Sequence, residues 1–231
     1  MKIGQRISAE FLLFVILFAI SVEVSAPQHS PSAQESAQEV AQRVDRHYNQ
    51  LHSLRAGFTE SYEGMGMRRA ESGTLLLLKP GRMKWEYAQP AGKLFVLDGA
   101  SAWFYTKGDA QVQRLPAKKL DDLRSPLRFL LGHTVLEKEL ANLTVQPAGN
   151  GQFTLSGQPK GPGNNLDERV RRLSLTVSTE GAIGAIEIEE TDGALTRFTF
   201  THEEPNTPLP PALFHFNPPA GVPVVEAMPP V

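Results

Sequence analysis

The stretch SGTLLLLKPGRMKWEYAQP (Ser72–Pro90) holds four consecutive leucines, a Lys-Pro-Gly-Arg break, and then an alternating segment. Successive side chains of a strand point to opposite faces. Met83, Trp85 and Tyr87 therefore share one face, with Lys84 and Glu86 on the other. Leu75–Leu78 is apolar on both faces. A strand of this kind needs a cover on each side, and the cationic break at its end needs a role.

Strand signals continue on either side. RAGFTESYEG precedes the leucine run; KLFVLD, AWFYT and AQVQRLP follow the tryptophan segment, with Gly99 and Gly108-Asp109 at turns. NLTVQP, QFTLSG, RVRRLSLTVS, AIGAIEIEET and LTRFTFT form a second series. Gly161–Asn165 reads as a loop. ALFHFNPP and GVPVVEA close the chain, with His215 facing away from Phe214 and Phe216. Short strands separated by turn residues predict an antiparallel meander of about ten or eleven strands, forming a sandwich or barrel. Ahead of them Val40, Val44, Tyr48 and Leu51 recur at helical spacing, predicting an amphipathic helix over 37–54 with Gln42, Arg43, Asp45 and Arg46 on its wet side. Residues 118–131, with Pro126 in a first turn, and 136–140 read as short helical pieces.

The N-terminus has the form of an export signal. Lys2 and Arg6 form a basic region, Phe11–Ile20 an apolar core, and Val24-Ser25-Ala26 a small-x-small cleavage pattern. The apolar run is short of the ~20 residues that span a bilayer. Residues 1–26 are thus assigned to a secretory signal peptide, removed or kept as an anchor. Residues 27–36 form a polar lead-in, and 37–231 a single domain.

Composition narrows the function. A net charge of −2 with no basic stripe argues against nucleic acid. With no cysteine, there are no disulfides, thiolate metal sites or cysteine nucleophiles. The sequence lacks a nucleophile elbow, a zinc-protease motif, a P-loop and a dinucleotide fingerprint. The six histidines are scattered, and Glu187, Glu189 and Glu190 read as the wet side of a strand. No nucleophile, base and orienter assemble, so no enzyme, metal or cofactor is expected. The aromatic pairs Phe58/Tyr62, Trp103/Tyr105 and Phe198/Phe200 each share a face of their strand. More than eight strands enclose a wide interior, which a helix or a ligand must fill.

Five segments, in order, resemble the periplasmic outer-membrane lipoprotein carrier proteins of the LolA type: FTESY, SGTLLLLKPGRMKWEYAQP, VLDGASAWFY, SPLRFLLG and FHFNPPAGVPVVE. The resemblance spans roughly residues 40–226. It implies an incomplete, open antiparallel β-barrel with a helical lid, enclosing an apolar cavity. It also implies a monomeric chaperone that takes acylated lipoproteins from an inner-membrane ABC transporter and passes them to an outer-membrane acceptor. A lipoprotein-sensing regulator on the same fold is the alternative, and a lipid hydrolase a more distant one. By the same resemblance Met83, Trp85, Phe95, Trp103, Leu127 and Leu130 line the cavity or lid, with Met83 near a transporter-facing rim and Val44 and Leu51 as weaker candidates. The family commonly has arginine before the proline of the leucine block, latching the lid shut. Here that residue is Lys79, with Arg82 as a substitute candidate. A lysine offers a point charge where arginine offers a planar fork.

Overall fold

The computed structural model describes residues 35–120, 130, 135–160 and 166–227. The signal-peptide assignment and Leu127 lie outside the described residues. Helix α1 (Ala37–Gln50) opens on a capping box: Ser36 Oγ accepts from the Glu39 amide at 3.2 Å, and the Glu39 carboxylate accepts from the Ser36 amide at 2.9 Å. Glu35, 2.5 Å from Arg43, also belongs to this start. Glu35 and Ser36 therefore form the helix entrance. The helix ends four residues before the expected 54, because Leu51 turns extended (φ −67, ψ 139). Leu51 and Leu54 keep the apolar spacing because they point inward from the strand that follows.

Twelve strands form one sheet: β1 (Ser53–Gly64), β2 (Met67–Leu78), β3 (Arg82–Gln89), β4 (Lys93–Leu97), β5 (Ser101–Thr106), β6 (Val112–Pro116), β7 (Leu140–Gly149), β8 (Gln152–Pro159), β9 (Val170–Val177), β10 (Ile183–Glu190), β11 (Leu195–Pro205) and β12 (Val224–Glu226). The order is β12-β6-β5-β4-β3-β2-β1-β11-β10-β9-β8-β7. The sheet stays open, with β12 and β7 at its edges. The count exceeds the expected ten or eleven, and the wholly antiparallel expectation is corrected at one place. β12 runs parallel to β6, pairing Val224–Glu226 with Val112–Arg114. A one-turn helix, α2 (Leu136–Glu139), precedes β7, and 3-10 turns occupy Ala117–Leu120 and Pro211–Phe214.

The leucine run receives two different covers. Leu75 and Leu77, both 0% exposed, face the main core beneath α1. Leu76 and Leu78 face outward, where Leu209 and Phe214 of the C-terminal segment cover them. That segment continues with Phe216 against Trp103 and Tyr105, then joins the sheet as β12.

Candidate functional site: a covered apolar face

Register decides which side chains share the inner face. Leu75 is opposite Trp85, and Leu77 opposite Met83; Trp85 is opposite Phe95, and Phe95 opposite Phe104. Directly paired residues share a face of the sheet. On the other flank, Phe58 is opposite Phe200, and Phe198 opposite Ile186. The result is an aromatic patch in which Phe58 lies 4.5 Å from Trp85 and 5.0 Å from Tyr87, with Phe198 5.7 Å from Trp85. Gly73 stands opposite Phe58 at a bulge between β2 and β3; a Cβ there would come 2.1 Å from the Glu86 carbonyl oxygen. Only glycine allows β3 to close on β2 at this point.

Helix α1 packs toward the β7–β8 side of this face and adds Val40, Ala41, Val44 and Tyr48, all buried, to the same core. Most of its polar attachments run toward the α2, β7 and β10 side. Gln42 donates to Glu137, the Leu136 amide donates to Asp45, and the Ile183 amide donates to the Tyr48 hydroxyl at 3.0 Å. The turn before β10 packs closely, since a Cβ on Gly181 would sit 2.5 Å from the Arg43 carbonyl oxygen. From the β2 side, among the described residues, one polar contact reaches the helix: Lys79 Nζ donates to the Tyr48 carbonyl. That carbonyl belongs to the last turn of α1, where carbonyls lack intrahelical partners and the dipole favours a cation. Burial holds the Lys79 ammonium below its ordinary pKa.

Two carboxyls sit at the helix seat. Asp45, expected on the wet side, is half-buried; burial pushes its pKa up to about 6, against the opposing hydrogen bond from Leu136. Glu203 shares the inner face because a bulge puts His202, at φ 52, and Glu203 together opposite Ala56. Its Oε1 is buried with no hydrogen-bond partner among the described residues, and burial pushes its pKa up to about 7.

Met83, Trp85, Phe95 and Leu130 come together in the covered core. Val44 and Leu51 join them. Met83 is 0% exposed and accepts from the Trp85 indole N–H at 3.0 Å, so it offers no surface to a partner in this arrangement. Trp103 is the correction. It pairs with Val96, while Phe104 pairs with Phe95, so Trp103 faces outward. There its indole N–H donates to Asp98 at 2.8 Å, and Arg114 stacks 5.2 Å from its ring. Arg82 pairs with Leu78 and also lies on the outer face, away from α1; Lys79 alone of the two reaches the helix. Sequence reasoning missed Glu203, and also a charged group formed by Glu60, Arg69, Glu71 and Lys93 on the inner face. The strand parity of Phe58 and Glu60 carried a signal for the latter, since the two share a face. Among the described residues no three acidic or histidine side chains converge as metal ligands, and no helix is long and apolar enough to cross a membrane.

Comparison with known proteins agrees with this geometry. Residues 49–217 match the family model described as outer membrane lipoprotein carrier protein LolA. An outer-membrane lipoprotein carrier protein of Nitrosospira multiformis is 32% identical over 75% of this chain and 82% of its own length. Its counterpart in Dechloromonas aromatica is 32% identical over 75% and 81%. Among solved structures, an uncharacterized conserved protein from Thermus thermophilus aligns with TM-score 0.51 and 15% identity, over 84% of this chain and 100% of that one.

Proposed function

We propose, from its membership of the outer-membrane lipoprotein carrier family, that this chain is a periplasmic carrier that shelters the acyl chains of lipoproteins on the face beneath α1. The observation that carries this reading is the covered aromatic face itself, with the helix above it held on the β2 side by one lysine.

The physical requirement is large. A triacylated cysteine carries on the order of 40 methylenes, and at about 0.8 kcal/mol per buried CH₂ its exposure in water costs roughly 30 kcal/mol. A carrier must cover most of that surface and still give it up. Apolar contact between α1 and the sheet occupies the same face that cargo would use, so closure competes with cargo and lowers its net affinity. Lys79 strengthens the closed form and thereby favours release. In this reading an inner-membrane ABC transporter loads the carrier, and an outer-membrane acceptor unloads it. The carrier catalyses no reaction and needs no cofactor.

The test is release from spheroplasts that display an outer-membrane lipoprotein. Added chain should bring the lipoprotein into the medium as a one-to-one complex, and a cargo lacking its acylated cysteine should not be bound. Absence of released lipoprotein, or binding that ignores acylation, would reject the carrier reading.

A further inference from the structure

Four adjacent strands bring a charged group onto the inner face, next to the aromatic patch. Glu60 lies on β1, Arg69 and Glu71 on β2, Tyr87 on β3 and Lys93 on β4. Their shared face follows from pairing: Glu60 is opposite Glu71 on one side and Phe198 on the other, and Lys93 lies two residues before Phe95. Lys93 Nζ donates to Glu71 and sits 4.3 Å from the centre of the Tyr87 ring. Arg69 lies 3.5 Å from Glu60 and 3.4 Å from Glu71. The Glu60 and Glu71 side chains are 13% and 6% exposed, against 57% for Arg69 and 32% for Lys93. Phe58, 5.0 Å from Tyr87, joins this group directly to the aromatic patch.

Stability does not account for the arrangement. Two glutamates directly opposite each other in a ladder repel. Buried ion pairs are often replaceable by apolar residues without loss of stability. Burial, followed by the charge of Glu71, pushes the Glu60 carboxyl above its ordinary pKa. The group also sits where the sheet opens. β3 pairs with β2 only as far as Ser72, so the part of β2 carrying Glu71 and Arg69 has β1 alone as a partner.

We infer that this group is a polar subsite for the cargo's head: the ester, thioether and peptide linkage that joins acyl chains to polypeptide. The inference rests on the acyl-carrier reading above. The linkage is neutral and rich in carbonyls, with amide N–H groups beside them. Arg69 and Lys93 supply donors for the carbonyls, and Glu60 and Glu71 supply acceptors for the amides. With two cations and two carboxylates, the formal charge of the subsite is balanced, as suits a neutral linkage. The acyl chains then run from Tyr87 across Phe58 and Trp85 toward Leu77 and Met83. The cargo is thus held in one orientation, polypeptide outward at the end where β1 and β2 overhang β3.

Two fluorescence titrations separate head from tail. One uses diphenylhexatriene, an apolar probe with no head; the other a diacylglyceryl-cysteine lipopeptide. The double substitution Glu71→Leu with Lys93→Leu removes a cation and an anion together, so it should leave melting temperature level or higher. It should change diphenylhexatriene affinity less than twofold and weaken the lipopeptide by about tenfold, as expected for lost charge-assisted hydrogen bonds. If the double variant does not fold, Lys93→Gln, which keeps an amide donor for Glu71, is read with the same two probes for the same selective loss. An unchanged lipopeptide affinity, or an equal loss for both probes, overturns the subsite while the carrier reading stands. A wild-type chain that binds neither probe overturns both.

Discussion

The two covers of the leucine run are built differently. The outer cover is the C-terminal segment, which lays Leu209 and Phe214 over Leu76 and Leu78 and then ties itself to the sheet edge. Its bonds to β6 are backbone ones, the Val112 amide donating to Pro223 at 2.9 Å and the Ala227 amide to Arg114 at 2.7 Å, and one exposed ion pair, Glu226 with Lys119 at 3.6 Å, lies beside them. The inner cover, α1, is apolar on its buried side but carries the half-buried Asp45 and has Lys79 and Glu203 beside it, and burial disturbs the protonation of all three. Apolar packing closed by backbone hydrogen bonds depends little on charge, and an exposed ion pair adds little to it. A seat made of desolvated charges and one carboxyl oxygen without a partner among the described residues is costly to bury and gains little from staying closed. On the carrier reading proposed above, the outer cover is the one that stays and the inner one the one that moves.

The largest effect should come from attacking the outer cover. Phe214 is 1% exposed and fills the space over Leu76. Phe214→Ala should cost about 3–5 kcal/mol through lost burial and a residual cavity. Denaturant unfolding measures it. A loss below about 1 kcal/mol would mean that the C-terminal segment only rests on the sheet, and the contrast between the covers would fail.

The contrast also explains what the sequence made legible. Most strands were readable between turn residues, although β2 begins at Met67, before the leucine block, and the apolar identity of both leucine faces followed from the run itself. The common face of Met83 and Trp85 followed from alternation. Alternation tells which residues of one strand share a face, but not which face of the sheet that is. Trp103 and Tyr105 share a face as expected, yet it is the outer one, because the β4–β5 hairpin pairs Phe95 with Phe104. Arg82 failed for the same reason. Its distance from Lys79 is short in sequence, but the hairpin turns it to the other side. The end of α1 was hidden because Leu51 and Leu54 satisfy helical spacing while serving as inward residues of an extended segment. β12, three residues long and parallel to a distant strand, leaves little local pattern to read. Glu203 reaches the inner face only through a bulge, which shifts parity without a glycine to announce it.

Next in size is the latch. Lys79→Leu removes the cation at the last turn of α1 and with it the polar tie between helix and β2. Its side chain is partly exposed, so the loss of stability should be about 1 kcal/mol. The effect on transfer should be larger. On the proposed carrier reading the closed form is weakened while the acyl face is untouched, so the variant should take up lipoprotein normally and release it poorly. Loading from spheroplasts and unloading to outer membranes measure the two halves separately. Normal unloading would show that Lys79 is not what favours closure.

A smaller effect should follow pH. Asp45 and Glu203 bind their protons more tightly in the folded chain, with pKa raised to about 6 and about 7. Their contribution is complete below the ordinary carboxylate range. It falls away as pH rises through 6 and 7, because the unfolded chain gives up the protons earlier. Other carboxyls shift the opposite way, Asp98 among them, so the comparison must be made against a variant. Glu203→Gln should melt with the wild type at pH 4 and several degrees above it at pH 8. Equal melting at both values would mean that Glu203 finds a partner when ionised.

The smallest effect is expected at Arg82, and it sharpens the comparison by contrast with Lys79. Both cations flank the same turn, three residues apart. Arg82 projects from the outer face opposite Leu78, and among the described residues no hydrogen bond or ion pair holds it. Arg82→Ala should therefore change stability by less than about 0.5 kcal/mol, as is usual for a substitution away from the core. Loading and unloading should both stay at the wild-type level. If the substitution instead blocked unloading as strongly as Lys79→Leu, the latch could not be a contact with the Tyr48 carbonyl. The turn would then act through its net charge, and Lys79→Gln, which keeps a donor for that carbonyl but loses the charge, should block unloading as well.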